Sequence, residues 1–225
     1  MTNTIAFHGD PAVKTNYLAR VQRHRELDNL TQGTGWENGK GCAVGCTLEQ
    51  YDHSLYPVEL GIPTWLAYLE DHIFEALSPE EAMNWPADFL DAITPGVTEE
   101  QFASCRARFL VFWLERQKSQ IDVNAWPQVA SAVDGVLALL RASLDGNEPD
   151  AAARSAAWSA ASSAARSAAA ADSAAAADSA AWSAAESAAR SASESAAAAR
   201  SVSQQEALVK RDWLLTELKS LKPEN

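Results

Sequence analysis

The stretch TWLAYLEDHIFEAL, residues 64–77, decides the fold class. Its apolar residues Leu66, Leu69, Ile73 and Leu77 stand three and four positions apart, the spacing that gathers one face of an α-helix. Ser78, Pro79 and Glu81 follow as a helix-start signature. The serine hydroxyl can accept from the first turn, the proline lacks an N–H that would go unused there, and the acid can reach back to the cap. Upstream, Pro57, Gly61 and Pro63 punctuate the chain.

Working outward, Pro11 can open a helix in which Val13, Tyr17, Leu18, Val21, Leu27 and Leu30 form an apolar stripe, which predicts a helix from about 12 to 31. Its other face carries Lys14, Arg20, Arg23, His24 and Arg25, a cationic patch in an otherwise acidic region. Thr98 caps a run holding Phe102, Phe109, Phe112 and Trp113, and Asn124 precedes a run from Trp126 to Leu140. Helices of ordinary length with short connections predict an all-α orthogonal bundle over residues 1–147, closed by the linker DGNEP at 145–149.

Beyond the linker, the pattern xSAA recurs with x at Arg154, Trp158, Ser162, Arg166, Asp172, Asp178, Trp182, Glu186 and Arg190. Alanine favours helix, and no glycine or proline interrupts residues 150–222, so an Ala/Ser-rich helical segment is expected over 148–203. One unbroken rod would be several times longer than the first domain is wide, which predicts a break near the serines at 193–203. Alanine surface on several sides favours a close-packed helix pair or an intersubunit core, hence a homo-oligomer assembled through this tail. The last segment, 204–225, has Leu208, Trp213, Leu214, Leu215, Leu218 and Leu221 on one stripe, and its default partner is the first domain of the same chain.

The net charge is -12, and residues 1–149 hold twenty-one acidic against ten basic side chains. That field repels phosphate backbones and anionic lipid, so general nucleic-acid and membrane binding are excluded as expectations. Three cysteines and an N-terminus without an apolar signal core point to a reducing, cytoplasmic setting.

Residues 32–46, QGTGWENGKGCAVGC, hold five of the ten glycines. Such a loop can turn backbone amides toward a ligand. Here Trp36 offers a stacking face, Glu37 and Asn38 polar contacts, and Lys40 a cation between Gly39 and Gly41. With His53 and the basic residues Arg20, Arg23 and Arg25, these form the expected binding site for a small anionic or nucleotide-like molecule. The spacing is not that of a Walker loop. Cys42 and Cys46 with His53 and His72 offer a zinc set, although their spacing is not CxxC. Either cysteine with His53 and Asp52 offers a nucleophile, base and orienter.

The blocks GTGWENGKGCAVGCTLEQYDHSLYPVELGIPTWLAYLEDHIFEAL (33–77) and WPADFLDAITPG (85–96), with the Ala-Ser-Trp-Arg tail, resemble a family of uncharacterised bacterial and phage proteins. The resemblance implies no catalytic residue or cofactor, and occurrence in phages suits a counter-defence or accessory role. The leading expectation is therefore a non-enzymatic protein that sequesters a small anionic ligand. Its rivals are an inhibitor- or immunity-type interaction module, whose acidic domain engages a basic partner, and a Cys/His-dependent hydrolase or transferase.

Overall fold

Asp10 opens the first long helix: its Oδ1 accepts from the Ala12 amide at 2.8 Å, and Pro11 occupies the first helical position. The resulting α1 spans Pro11–Glu26, ending five residues short of the expected boundary. Leu27 caps it and Asp28 adopts a left-handed φ of 55°, so the stripe does not continue. Leu27 is left 60% exposed, while Leu30 turns inward as extended chain bridged to Gly41.

The glycine-dense loop holds a hairpin. Strands β1 (Trp36–Glu37) and β2 (Lys40–Gly41) pair antiparallel, with Trp36 opposite Gly41 and Glu37 opposite Lys40. Asn38 and Gly39 between them take φ of 52° and 80°, the two positive values that a type I′ turn requires. The rest of the fold is helical: α2 (Ala43–Leu48), α3 (Tyr56–Glu59), α4 (Thr64–Ala76), α5 (Pro79–Ala82), α6 (Trp85–Ala92), α7 (Glu99–Lys118) and α8 (Pro127–Leu144), then a C-terminal helix over Ser191–Ser220. This computed structural model describes residues 4–119, 122, 124–147, 149–153, 155–157, 159–160 and 191–223. The protein is all-α.

Two expected caps form. Ser78 Oγ accepts from the Glu81 amide at 3.4 Å and donates to Glu81 Oε2 at 2.8 Å, starting α5. Thr98 Oγ1 accepts from the Gln101 amide, and Gln101 Oε1 accepts from the Thr98 amide at 3.0 Å, so both ends of a capping box close before α7. Asn124 does not cap α8; that helix begins at Pro127, with Trp126 before it.

By its contacts the chain divides into two units, Met1–Cys105 with Ala198–Asn225, and Arg106–Ala197. In the first, Phe7, Tyr56, Phe74, Trp85, Phe89 and Phe102 are among the large side chains sealed from water. The C-terminal helix contributes Ala207, Leu214 and Leu218 to this same core, and Leu221 just beyond its end joins them. Each buried leucine is worth about 1.5–3 kcal/mol over leaving it wet, so the expected docking in cis is the observed one. Arg211 pairs with Glu81 at 3.2 Å, and Gln101 donates to the Lys222 carbonyl at 2.6 Å.

In the second unit, Lys118 pairs with Asp134 and Arg141 with Glu115, and Ala130, Ala132 and Leu137 are buried. The repeat positions Arg154, Trp158 and those from Ser162 to Arg190 lie outside the described residues. The helix expected to break near 193–203 instead runs unbroken from Ser191 to Ser220, as its lack of glycine and proline permits. Among the described residues no helix is long and apolar enough to cross a membrane.

Candidate functional site

The cations expected to converge on one ligand are each engaged within the chain. Arg20 donates to the Thr47 carbonyl at 3.0 Å and lies over the Tyr17 ring, Arg23 pairs with Glu49 at 3.0 Å, and Arg25 donates to Asn84 Oδ1 at 2.8 Å. The basic face of α1 thus fastens the C-terminal end of α2 and the residue before α6. Lys40 is exposed on β2 and its Nζ donates to the Asp28 carbonyl at 2.9 Å.

Four amides of the loop are committed as well. Gly33 N donates to Glu75 Oε2 at 2.7 Å, Gly41 N to the Asn29 carbonyl at 3.0 Å, Cys42 N to the Thr34 carbonyl at 2.7 Å, and Gly45 N to Cys42 Sγ at 3.5 Å. Close approach explains the glycines here: a Cβ on Gly41 or Gly45 would overlap the carbonyl oxygen of Gly35. Trp36 is half-buried and meets the His24 ring edge-on at 5.4 Å between centroids. Glu37, Asn38 and Gly39 are exposed on the hairpin.

His53 alone among the expected residues leads to a concentrated polar centre. Asp52 Oδ1 accepts from the Ser54 amide at 2.9 Å and starts the short turn His53–Leu55, which directs the imidazole inward. His53 Nε2 donates to Asp71 Oδ2 at 3.1 Å, and Tyr51 OH donates to the same oxygen at 3.0 Å. Tyr68 stacks on the imidazole at 4.2 Å with 10° between planes, and Tyr51 meets it edge-on. Tyr68, Asp71 and Glu75 recur three and four residues apart, so they share one side of α4, turned toward the loop.

Asp71 is only 8% exposed, and its second oxygen, Oδ1, is buried with no N–H or O–H donor, while the Cys42 thiol hydrogen-bonds the carboxylate. Beside it, Glu70 is fully buried. Its Oε2 accepts from Tyr56 OH at 2.5 Å while Oε1 has no partner, and Thr47 Oγ1 is similarly orphaned. Burial drives the Glu70 carboxyl well above its ordinary value, outweighing the Tyr56 hydrogen bond that opposes it, and the neighbouring Asp71 adds to the rise.

Cys42 Sγ, one oxygen of Asp71 and one of Glu75 lie within 4.8 Å of one another. Burial, and next the Asp71 carboxylate, pushes the Cys42 thiol far above the usual range. Burial and the adjacent Asp71 likewise raise Glu75 despite the Gly33 amide. Among the described residues, no lysine or arginine pairs with either carboxylate.

Cys46 stands apart from this centre, donating to the Gly41 carbonyl at 3.4 Å, and burial pushes its thiol up to about 12. His72 is exposed, with Nε2 3.2 Å from Lys210 Nζ. Of the two cysteines and two histidines grouped by sequence spacing, Cys42 and His53 both adjoin Asp71 while Cys46 and His72 stand elsewhere, and none of the three buried cysteines forms a disulfide. Compared with protein-family models, curated proteins and solved structures, the chain matches none.

Proposed function

We propose that this chain is a non-enzymatic binding protein whose ligand presents a positive charge to the seam between the glycine loop and α4. One observation carries the reading: Asp71 is buried with an oxygen that no N–H or O–H donor reaches, and a second carboxylate and the Cys42 thiol stand within 4.8 Å of it. Two ionised carboxylates that close repel by about 1 to 3 kcal/mol, depending on how much water screens them, and a cation between them turns the repulsion into attraction. The exposed faces of Tyr51 and Tyr68 beside this centre add surfaces that favour a cation.

The anion reading has less support, because Lys40, Arg20, Arg23 and Arg25 and the amides of Gly33, Gly41, Cys42 and Gly45 have partners within the chain. A cysteine nucleophile has little support too, since His53 Nε2 serves Asp71 and both loop thiols are held protonated.

Thermal melting of the full chain against a panel of divalent cations, polyamines, guanidinium compounds, nucleotides and phosphate tests the proposal. A saturable rise in Tm with a cation, lost in Asp71→Asn, supports it. Stabilisation by the anions alone, or by nothing in the panel, overturns it.

A further inference from the structure

We propose that Cys42 Sγ, Asp71 and Glu75 form a site for one thiophilic divalent metal ion of the zinc class, with a fourth position open on the Glu75 side. The inference rests on the cation-binding reading and narrows it from any positive group to a metal.

The donor set argues for this ion. A thiolate with two carboxylates is a mixed soft and hard set that suits zinc; a site for calcium or magnesium would gather oxygens only. A tetrahedral centre with bonds of about 2.0–2.3 Å sets its ligand atoms about 3.3–3.8 Å apart, so three donor atoms within 4.8 Å of one another reach one ion by a small inward shift of the side chains. Cys42 and Asp71 are buried while Glu75 is exposed, so the set has a wet side by which an ion enters and on which water fills the remaining position.

Each donor is also oriented by a partner outside the set. Cys42 Sγ accepts from the Gly45 amide, Glu75 Oε2 from the Gly33 amide, and Asp71 Oδ2 from both Tyr51 and His53. Asp71 Oδ1 is buried with no N–H or O–H donor, and the Cys42 thiol, which hydrogen-bonds the same carboxylate, is the neighbour that a metal ion would deprotonate. Outer hydrogen bonds of this kind fix ligand orientation in metal centres. The arrangement draws on α4, the glycine loop that ends in the N-cap of α2, and the turn at 51–53, three separate stretches of sequence. Binding converts the Cys42 thiol to a thiolate: the S–Zn bond forms as the S–H bond breaks, and the proton leaves to solvent.

The experiment uses the intact protein, stripped with a chelator and reduced. Co²⁺ titration should give one equivalent per chain and a thiolate-to-cobalt charge-transfer band that Zn²⁺ displaces. The band should vanish in Cys42→Ser and persist in Cys46→Ser. Asp71→Asn and Glu75→Gln should each weaken the affinity by at least about tenfold. The wild-type spectrum alone can refute the site, so the test survives a variant that fails to fold. No band, no saturable one-to-one binding, or a band that follows Cys46 overturns the metal. If polyamine or guanidinium still raises Tm in an Asp71-dependent way, the metal fails and the broader reading stands. If neither metal nor organic cation acts, both fall.

Discussion

The carbonyl oxygen of Gly35 occupies the space in which a side chain on Gly45 would begin, and the same oxygen blocks a side chain on Gly41. Because the obstacle is backbone, nothing flexible can give way. Gly45→Ala is therefore expected to cost more than about 3 kcal/mol or to prevent folding. At Gly39, where φ is 80° and no atom lies near, Gly39→Ala should cost only about 1–2 kcal/mol of backbone strain. Urea unfolding of both variants checks the order, and a reversed order would refute the packing account.

Tyr56 OH is the hydrogen-bond donor to the buried Glu70 carboxyl. Tyr56→Phe leaves both carboxyl oxygens without a donor in the core and should cost about 1–3 kcal/mol. Tyr17→Phe, which removes a bond to Glu59 near the surface, should cost less, about 0.5–1 kcal/mol. Equal losses in chemical denaturation would contradict the weight given to burial.

Burial presses the Glu49 carboxyl upward, but the hydrogen bond from His24 and the charges of Arg20, His24 and Arg23 outweigh it and hold the group below its usual value. A carboxyl held low contributes stability above its unfolded pKa, and that contribution disappears as the pH falls through the folded value. Glu49→Gln should thus lower Tm at neutral pH, by less than about 1 kcal/mol equivalent given a side chain 42% exposed. The two melting curves should converge as the pH falls through and below the ordinary carboxylate range. A gap constant across that window would remove the electrostatic explanation.

Leu218 on the C-terminal helix is fully buried, whereas Leu208 packs only at the margin of the core. Leu218→Ala should cost about 2–5 kcal/mol and Leu208→Ala distinctly less, measured by guanidinium unfolding. Near-neutral behaviour at Leu218 would mean that the helix does not dock in solution.

Lys40→Ala separates the two charge readings of the glycine loop. Because Lys40 is exposed and bound to a backbone carbonyl, its loss should change stability by less than about 1 kcal/mol and leave any cation-induced rise in Tm intact. Loss of an anion-induced rise would instead place the ligand at the hairpin.

Local signals were the legible ones. The periodicity of residues 64–77 and the Ser78 and Thr98 boxes correspond to α4, α5 and α7, because each depends on neighbours within a few residues. The hairpin was also encoded locally, by Asn38–Gly39, but the surrounding glycines made the stretch read as one ligand loop. Glu70 and Asp71 carried no such mark. Two acids on an amphipathic helix ordinarily face water, and their burial emerges only once Tyr56, Tyr51 and His53 arrive from the segment before α4. The run after Asn124 does form a helix, which starts at Pro127, where the fixed φ of proline suits the first helical position.

The leucines that complete the first unit belong to residues 207–221, separated from their partners by the whole second unit. During vectorial synthesis, the nascent segment up to Cys105 must wait on the ribosome with an apolar groove uncovered until those leucines emerge. A premature stop that removes only this stretch would therefore release an adhesive, chaperone-dependent fragment rather than a slightly shortened protein.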